Sequence, residues 1–206
     1  MLAAVILHEV AHGFVAYRLG DPTAARLGRL TLNPLPHIDP VGTVLLPLVL
    51  VMTHAPFLFG YARPVPVNFF NLRNPRRDMV LVAAAGPLTN LFLATASAVL
   101  LKQLVRLPLP ADGAFAGWAL AVLTPIALMA QNSVYINVGL AVFNLLPIPP
   151  LDGGRVVTGL LPQAQAIYFA QLERYGFLIL VALLATNALD SVLRPVMGLL
   201  LHALLS

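Results

Sequence analysis

The chain has 206 residues, of which 59% are hydrophobic and only 10% charged, where a soluble domain carries about 25% charged residues. So few charges cannot clothe a water-facing surface, which leaves most of the surface to face lipid. The formal net charge of +4 comes with no basic run interleaved with aromatics, so no nucleic-acid site is expected, and the absence of cysteine excludes disulfides and thiolate chemistry.

Four segments are apolar enough over roughly 20 residues to span a bilayer. The first runs from about Met1 to Leu19. It lacks a basic n-region and carries His8, Glu9 and His12 where a signal peptide would be apolar, so it reads as mature structure. A loop follows, with Gly28–Asn33 alternating polar and apolar like a short strand. The apolar stretch Val41–Phe59 holds Pro47, His54 and Pro56, which would leave backbone groups unpaired in lipid. Arg63–Asn68 reads as extended, because each proline pushes its predecessor out of the helical region. The remaining spans run from about Met79 to Val105, Trp118 to Leu146 and Tyr175 to Val192, and the tail Pro195–Leu205 is too short to cross.

Charge sets topology. Arg18, Arg26 and Arg29 follow the first span, and Arg63, Arg73, Arg76 and Arg77 precede the second. The positive-inside rule puts both loops in the cytoplasm. A full crossing by Val41–Phe59 would separate them, so this stretch is expected to be re-entrant. The connection from the second span to the third is poor in charge and is expected outside.

The strongest chemical signal is His8-Glu9-Val10-Ala11-His12. Positions four apart share a helix face, so both imidazoles can reach one metal ion. Glu9 lies beside them as a candidate general base for a metal-activated water. Histidines on an ordinary helix surface fit poorly, because the flanks are apolar and ionisable groups in lipid are costly. A catalytic zinc needs a third protein ligand. Asp152 is the choice among the few acids, since it ends the apolar run Asn144-Leu-Leu-Pro-Ile-Pro-Pro-Leu-Asp-Gly-Gly154, where prolines break the helix and glycines permit close approach. A plain helix-capping turn is the other reading of Asp152. Asn90 and Asn144 are polar side chains in apolar helices, and either can bond a substrate backbone or merely bond between helices. His37, His54 and His202 carry no motif and are assigned no catalytic role.

Together, His8-Glu-Val-Ala-His12 and Asn144-x-x-Pro-x-x-Pro-x-Asp152-Gly153 resemble the site-2 protease family of intramembrane metalloproteases. Ala85-Gly-Pro-Leu-Thr-Asn90 is similar to a third family element. Gly28–Pro34, His37–Pro40 and Ala62–Asn68 look like the small bacterial branch. The resemblance covers roughly residues 5 to 180, in motif order. It implies one zinc ion held by His8, His12 and Asp152, with Glu9 as general base and a transmembrane protein segment as substrate, cut near the cytoplasmic side. The expected architecture is an all-α polytopic inner-membrane protein of four to five transmembrane helices. It is a single membrane-embedded domain over 1–206, with a re-entrant and β region over about 20–78. Only seven residues precede His8, fewer than the family usually has, which leaves an N-terminal truncation or a late start codon open. No peptide-binding or nucleotide-binding module is visible, and oligomeric state is not legible.

The mechanism follows. His8 and His12 lie roughly 10–17 Å before the end of the first helix at 1.5 Å per residue. That depth places the site within the membrane, nearer the cytoplasm. A helical substrate hides its peptide bonds, so the two extended segments are expected to offer a strand edge for β-augmentation. A catalytically inactive scaffold would not need Glu9, and a metal transporter would need more acids and histidines in successive spans.

Overall fold

The computed structural model describes residues 1–54, 60–107, 114–186 and 188–206. In chain order the helices are α1 (Leu2–Arg18), α2 (Thr23–Arg26), α3 (Leu46–Met52), α4 (Pro75–Val105), α5 (Ala114–Asn144), α6 (Asp152–Leu160), α7 (Gln163–Gln171), α8 (Gly176–Ala185) and α9 (Asp190–Leu205). On α1, Ala4, His8, His12 and Ala16 recur every four residues, share one face and are all buried. Ala16 packs with Leu72 and with Val82 of α4. Further along, Ala94 and Ala98 of α4 meet Val134, Val138 and Val142 of α5, and α9 lays Leu193, Met197 and Leu200 on that seam. Small and β-branched residues let the helix backbones approach closely, which is how helices associate where lipid removes the hydrophobic drive. The outward faces stay apolar: Phe92, Leu88, Leu128 and Met129 are exposed.

Among the described residues three helical stretches are long and apolar enough to cross a membrane: Pro75–Val105, Gly117–Asn144 and Gln163–Ala185. Two of these match the expected second and third spans. The expected fourth span starts earlier, because α7, the 3-10 turn Leu172–Tyr175 and α8 run on without a break. The expected first span corresponds to α1, Leu2–Arg18, which is not among those three. The tail also differs from expectation, since α9 begins at Asp190 and joins the packed core. The expected outside connection falls largely on 108–113, which lie outside the described residues.

No strand occurs among the described residues, which corrects both expected strands. Over 28–33, Gly28 takes a φ of 64° and turns the chain. Thr31 Oγ1 then accepts the Asn33 N–H and Asn33 Oδ1 accepts the Leu35 N–H, so local side chains replace a ladder. Over 63–68 the chain is extended, but its donors point inward. Arg63 N–H goes to His37 O, Val65 N–H to Glu9 and Asn68 N–H to Asp21, while Pro64 and Pro66 have none. Among the described residues this segment pairs with no neighbouring strand.

The re-entrant expectation over 41–59 is not supported by the described residues, which show a chain that leaves the bundle and returns. A π-type turn over Pro40–Leu45, with Asp39 accepting the Val41 and Gly42 N–H groups, leads into the short α3. The chain comes back where Tyr61 N–H meets Gly42 O at 3.0 Å. This is a closed excursion, and 55–59 with Pro56 lie outside the described residues. The wider connection is closed too, because Arg73 N–H donates to Leu19 O at 3.1 Å. Asp21 ties that junction. Its carboxylate accepts from Thr23 N–H at 3.1 Å, Thr23 O–H at 2.5 Å, Asn68 N–H at 2.7 Å and Asn71 Nδ2 at 2.8 Å.

Candidate metal centre

His8 and His12 stand one turn apart on the buried face of α1, and Asp152 opens α6; their exposures are 6%, 8% and 7%. The two Nε2 atoms are 3.0 Å apart, and Asp152 Oδ2 lies 3.1 Å from that of His8 and 3.2 Å from that of His12. His12 Nδ1 sits 2.7 Å from the Val82 carbonyl oxygen, an atom that only accepts. Nδ1 therefore carries a proton, and in the neutral ring Nε2 presents a lone pair. Asp152 Oδ2 is buried with no hydrogen-bond donor. Acceptors this close repel one another, and an unpaired buried carboxylate costs several kcal/mol. A cation at the point of convergence relieves both. All three ligand atoms lie within 4.8 Å of one another. Two imidazole nitrogens and one carboxylate oxygen form a donor set that fits catalytic zinc, with a fourth position left open.

Glycines allow this approach. A Cβ on Gly86 of α4 would fall 2.6 Å from His8 Nε2 and closer still to His12 Nε2. Pro87, next in the chain, removes a backbone donor from the helix interior. On the other side, a Cβ on Gly153 would strike the carbonyl oxygens of Leu145 and Leu146, and one on Gly154 would lie 2.6 Å from Pro149 N. The start of α6 is thus seated directly on the proline loop that ends α5, and Asp152 is carried to the histidines.

Glu9 is half-buried, and its Oε2 accepts the Val65 N–H at 2.8 Å. Val65 belongs to the extended segment, which Arg29 holds from the other side by donating to the carbonyls of Pro36, Arg63 (2.9 Å) and Pro64 (3.2 Å). Asn90 is fully buried, its Oδ1 2.6 Å from His8 Nδ1, so its amide lies behind the ligand. Asn144 is half-buried and donates Nδ2 to Leu140 O at 2.9 Å. His37 is buried and its Nε2–H donates to Thr31 O at 2.9 Å, while His54 is exposed at a φ of 54°. Sequence reasoning carried Gly86 only within the element Ala85-Gly-Pro-Leu-Thr-Asn90, with no role of its own, and missed the Val82 carbonyl and Asn137. The only signal for Asn137 was an amide two helical turns before Asn144 on the same apolar span.

The comparisons agree with this geometry. The model of the family described as "Peptidase family M50" matches residues 115–186. The "Putative zinc metalloprotease YwhC" of Bacillus subtilis is 39% identical over 96% of this chain and 84% of the relative. The "Putative zinc metalloprotease Rip2" of Mycolicibacterium smegmatis is 36% identical over 92% of this chain and 66% of the relative. Its counterpart in Mycobacterium tuberculosis is 36% identical over 74% of this chain, which spans 52% of that protein. No solved structure gives a significant match. The helix-borne histidine pair, the aspartate seated on a proline loop and identity across nearly the whole length converge: the chain belongs to peptidase family M50, the site-2 protease family.

Proposed function

We propose that the protein is an intramembrane zinc endopeptidase that hydrolyses peptide bonds in or near transmembrane segments of membrane proteins. The observation that carries this is the convergence of His8 Nε2, His12 Nε2 and the unpartnered Asp152 Oδ2 on one point beside long apolar helices. These three side chains would hold one zinc ion, in keeping with the zinc metalloprotease names of the relatives. When bound, zinc supplies Lewis acidity, polarising a peptide carbonyl and making water acidic enough to lose a proton near neutral pH. Glu9 is the base that takes that proton. The Val65 N–H anchors Oε2 and leaves Oε1 to receive it. As the carbon–oxygen bond forms and the peptide C–N bond breaks, the Glu9 carboxyl returns the proton to the departing amine. Asn144 spends its Nδ2 on Leu140 O, and its Oδ1 is suited to accept a substrate backbone N–H.

In this reading the chain is a multi-pass inner-membrane protein whose site lies nearer the cytoplasm, the side of the arginine-rich loops. Exposed Val44, Leu45, Leu48 and Val51 dip into the bilayer as a re-entrant helix. The test uses purified chain in bilayer discs with a single-span model substrate, zinc being read by elemental analysis. Wild type should carry about one zinc and cut. Glu9→Gln should keep the zinc and stop cutting, and Asp152→Ala should lose the zinc. Cutting by Glu9→Gln would remove Glu9 as the base. Full zinc in Asp152→Ala would remove Asp152 as a ligand, and zinc-free wild type would overturn the reading.

A further inference from the structure

Asn137 lies on α5, a helix that supplies none of the three ligands, yet it connects to one of them. It is 2% exposed and Asn90 is 0% exposed. We propose that Asn137 is a positioning residue that acts through Asn90 to hold the ring proton of His8 on Nδ1, so that Nε2 meets the metal as a lone pair.

Atoms that can only accept settle the direction of this relay. One end of the Asn137 amide lies 2.9 Å from the Ser133 carbonyl oxygen, so that end must be the NH2 group, which also reaches Ser133 Oγ at 3.1 Å. Its Oδ1 therefore faces α4. The Asn90 group 2.8 Å from that oxygen must donate, so it is Nδ2. The carbonyl oxygen of Ala4, 3.4 Å from the same nitrogen, makes the same demand. Asn90 Oδ1 is left facing His8 Nδ1 at 2.6 Å, and an amide oxygen can only accept. The proton is thus on Nδ1. Turning over either amide sets oxygen against oxygen or N–H against N–H in a buried place, which water cannot relieve. Beyond Ser133, its hydroxyl meets that of Ser97 at 2.8 Å and fastens the far end to α4.

Interhelical amide bonds alone would hold α4 to α5 and leave zinc affinity untouched. The relay instead makes the basicity and aim of His8 depend on a residue of α5, in the way partners behind a metal ligand tune it. This rests on His8 being a zinc ligand. The first measurement does not need zinc: ¹⁵N-histidine NMR of metal-free protein, well above the ordinary imidazole pKa of about 6.5. Wild-type His8 should carry its proton on Nδ1, and Asn137→Leu should show a mixture of tautomers. By chelator competition, Asn137→Leu should bind zinc at least about tenfold more weakly. Asn90→Leu should lose at least as much, and the double variant no more than Asn90→Leu alone, since one path carries both effects. Should Asn137→Leu fail to fold, Asn137→Ala supplies the same readings. A wild-type proton on Nε2, unchanged tautomer and affinity in the variant, or losses that simply add would each overturn the proposal. Wild type with the expected tautomer but no zinc would instead sink the metal-centre reading and leave the relay.

Discussion

Gly86→Ala should cost metal binding more than it costs fold stability. The added methyl would sit 2.6 Å from His8 Nε2, where ordinary contact begins near 3.4 Å. Ring and helix must therefore part by about 0.8 Å, against a ligand tolerance of about 0.2 Å. The rings cannot swing aside, because His8 is bonded to Asn90 and His12 to the Val82 carbonyl, both on α4 itself. Moving α4 away carries those partners with it. A misplaced pair of ligands should weaken zinc about 10- to 100-fold, or about 1.4–2.8 kcal/mol. Overpacking by a methyl costs the fold about 1–3 kcal/mol, against about 1 kcal/mol that alanine gains over glycine in a helix. Metal-free protein should therefore melt modestly below wild type, by a net loss of up to about 2 kcal/mol, while zinc affinity, read by chelator competition, collapses. Undiminished zinc affinity in Gly86→Ala would show that the two rings are not the ligands, or that α4 does not press on them.

Asp21 and Arg29 give two further predictions. Burial alone would raise the Asp21 carboxyl, but the hydrogen bonds from Thr23, Asn71 and Asn68 outweigh it and hold its pKa below the usual carboxylate range. Its stabilisation is therefore complete above the unfolded value of about 3.9 and fades as pH falls through the lower folded value. Asp21→Asn should cost about 1.5–3 kcal/mol in thermal or denaturant unfolding at neutral pH. That gap should shrink in acid, and a pH-independent gap would refute the assignment. Arg29→Lys replaces a fork with a point charge that cannot serve the Pro36, Arg63 and Pro64 carbonyls together. Hydrogen exchange at the Val65 amide should quicken about tenfold or more, with the α4 core unchanged; equal protection would mean that the segment is held by something else.

The helix-borne part of the site was readable because its rule is local. A spacing of four puts His8 and His12 on one face whatever surrounds them, and a proline loop ending in Asp152-Gly-Gly announces a helix break. The strands were misread for a complementary reason. Alternation over 28–33 and prolines over 63–68 describe backbone that can extend, but a strand exists only when a neighbour takes its hydrogen bonds. Here Asp21, Glu9 and the His37 carbonyl take them. The early start of the last span was hidden because Gln163–Gln171 is polar enough to look like a loop, yet it continues into α8. Gly86 and Asn137 matter only through distant partners, so neither a period nor a spacing could single them out.

The bond between Leu19 and Arg73 makes everything from Gly20 to Leu72 a detour from a bundle that is already closed at its base. The entropy of such a detour grows only with the logarithm of its length, so it can lengthen, shorten or be exchanged at little cost while the ligand-bearing helices keep their register. Several stitches limit that freedom, among them the bonds of Asn68 and Asn71 to Asp21 and the packing of Leu72 on Ala16 and Val82. Whatever chain occupies the detour must still return a backbone N–H to Glu9, the place Val65 fills here. Variation in this stretch should therefore be broad between those ties and narrow at them, above all at the position that returns a main-chain N–H to Glu9.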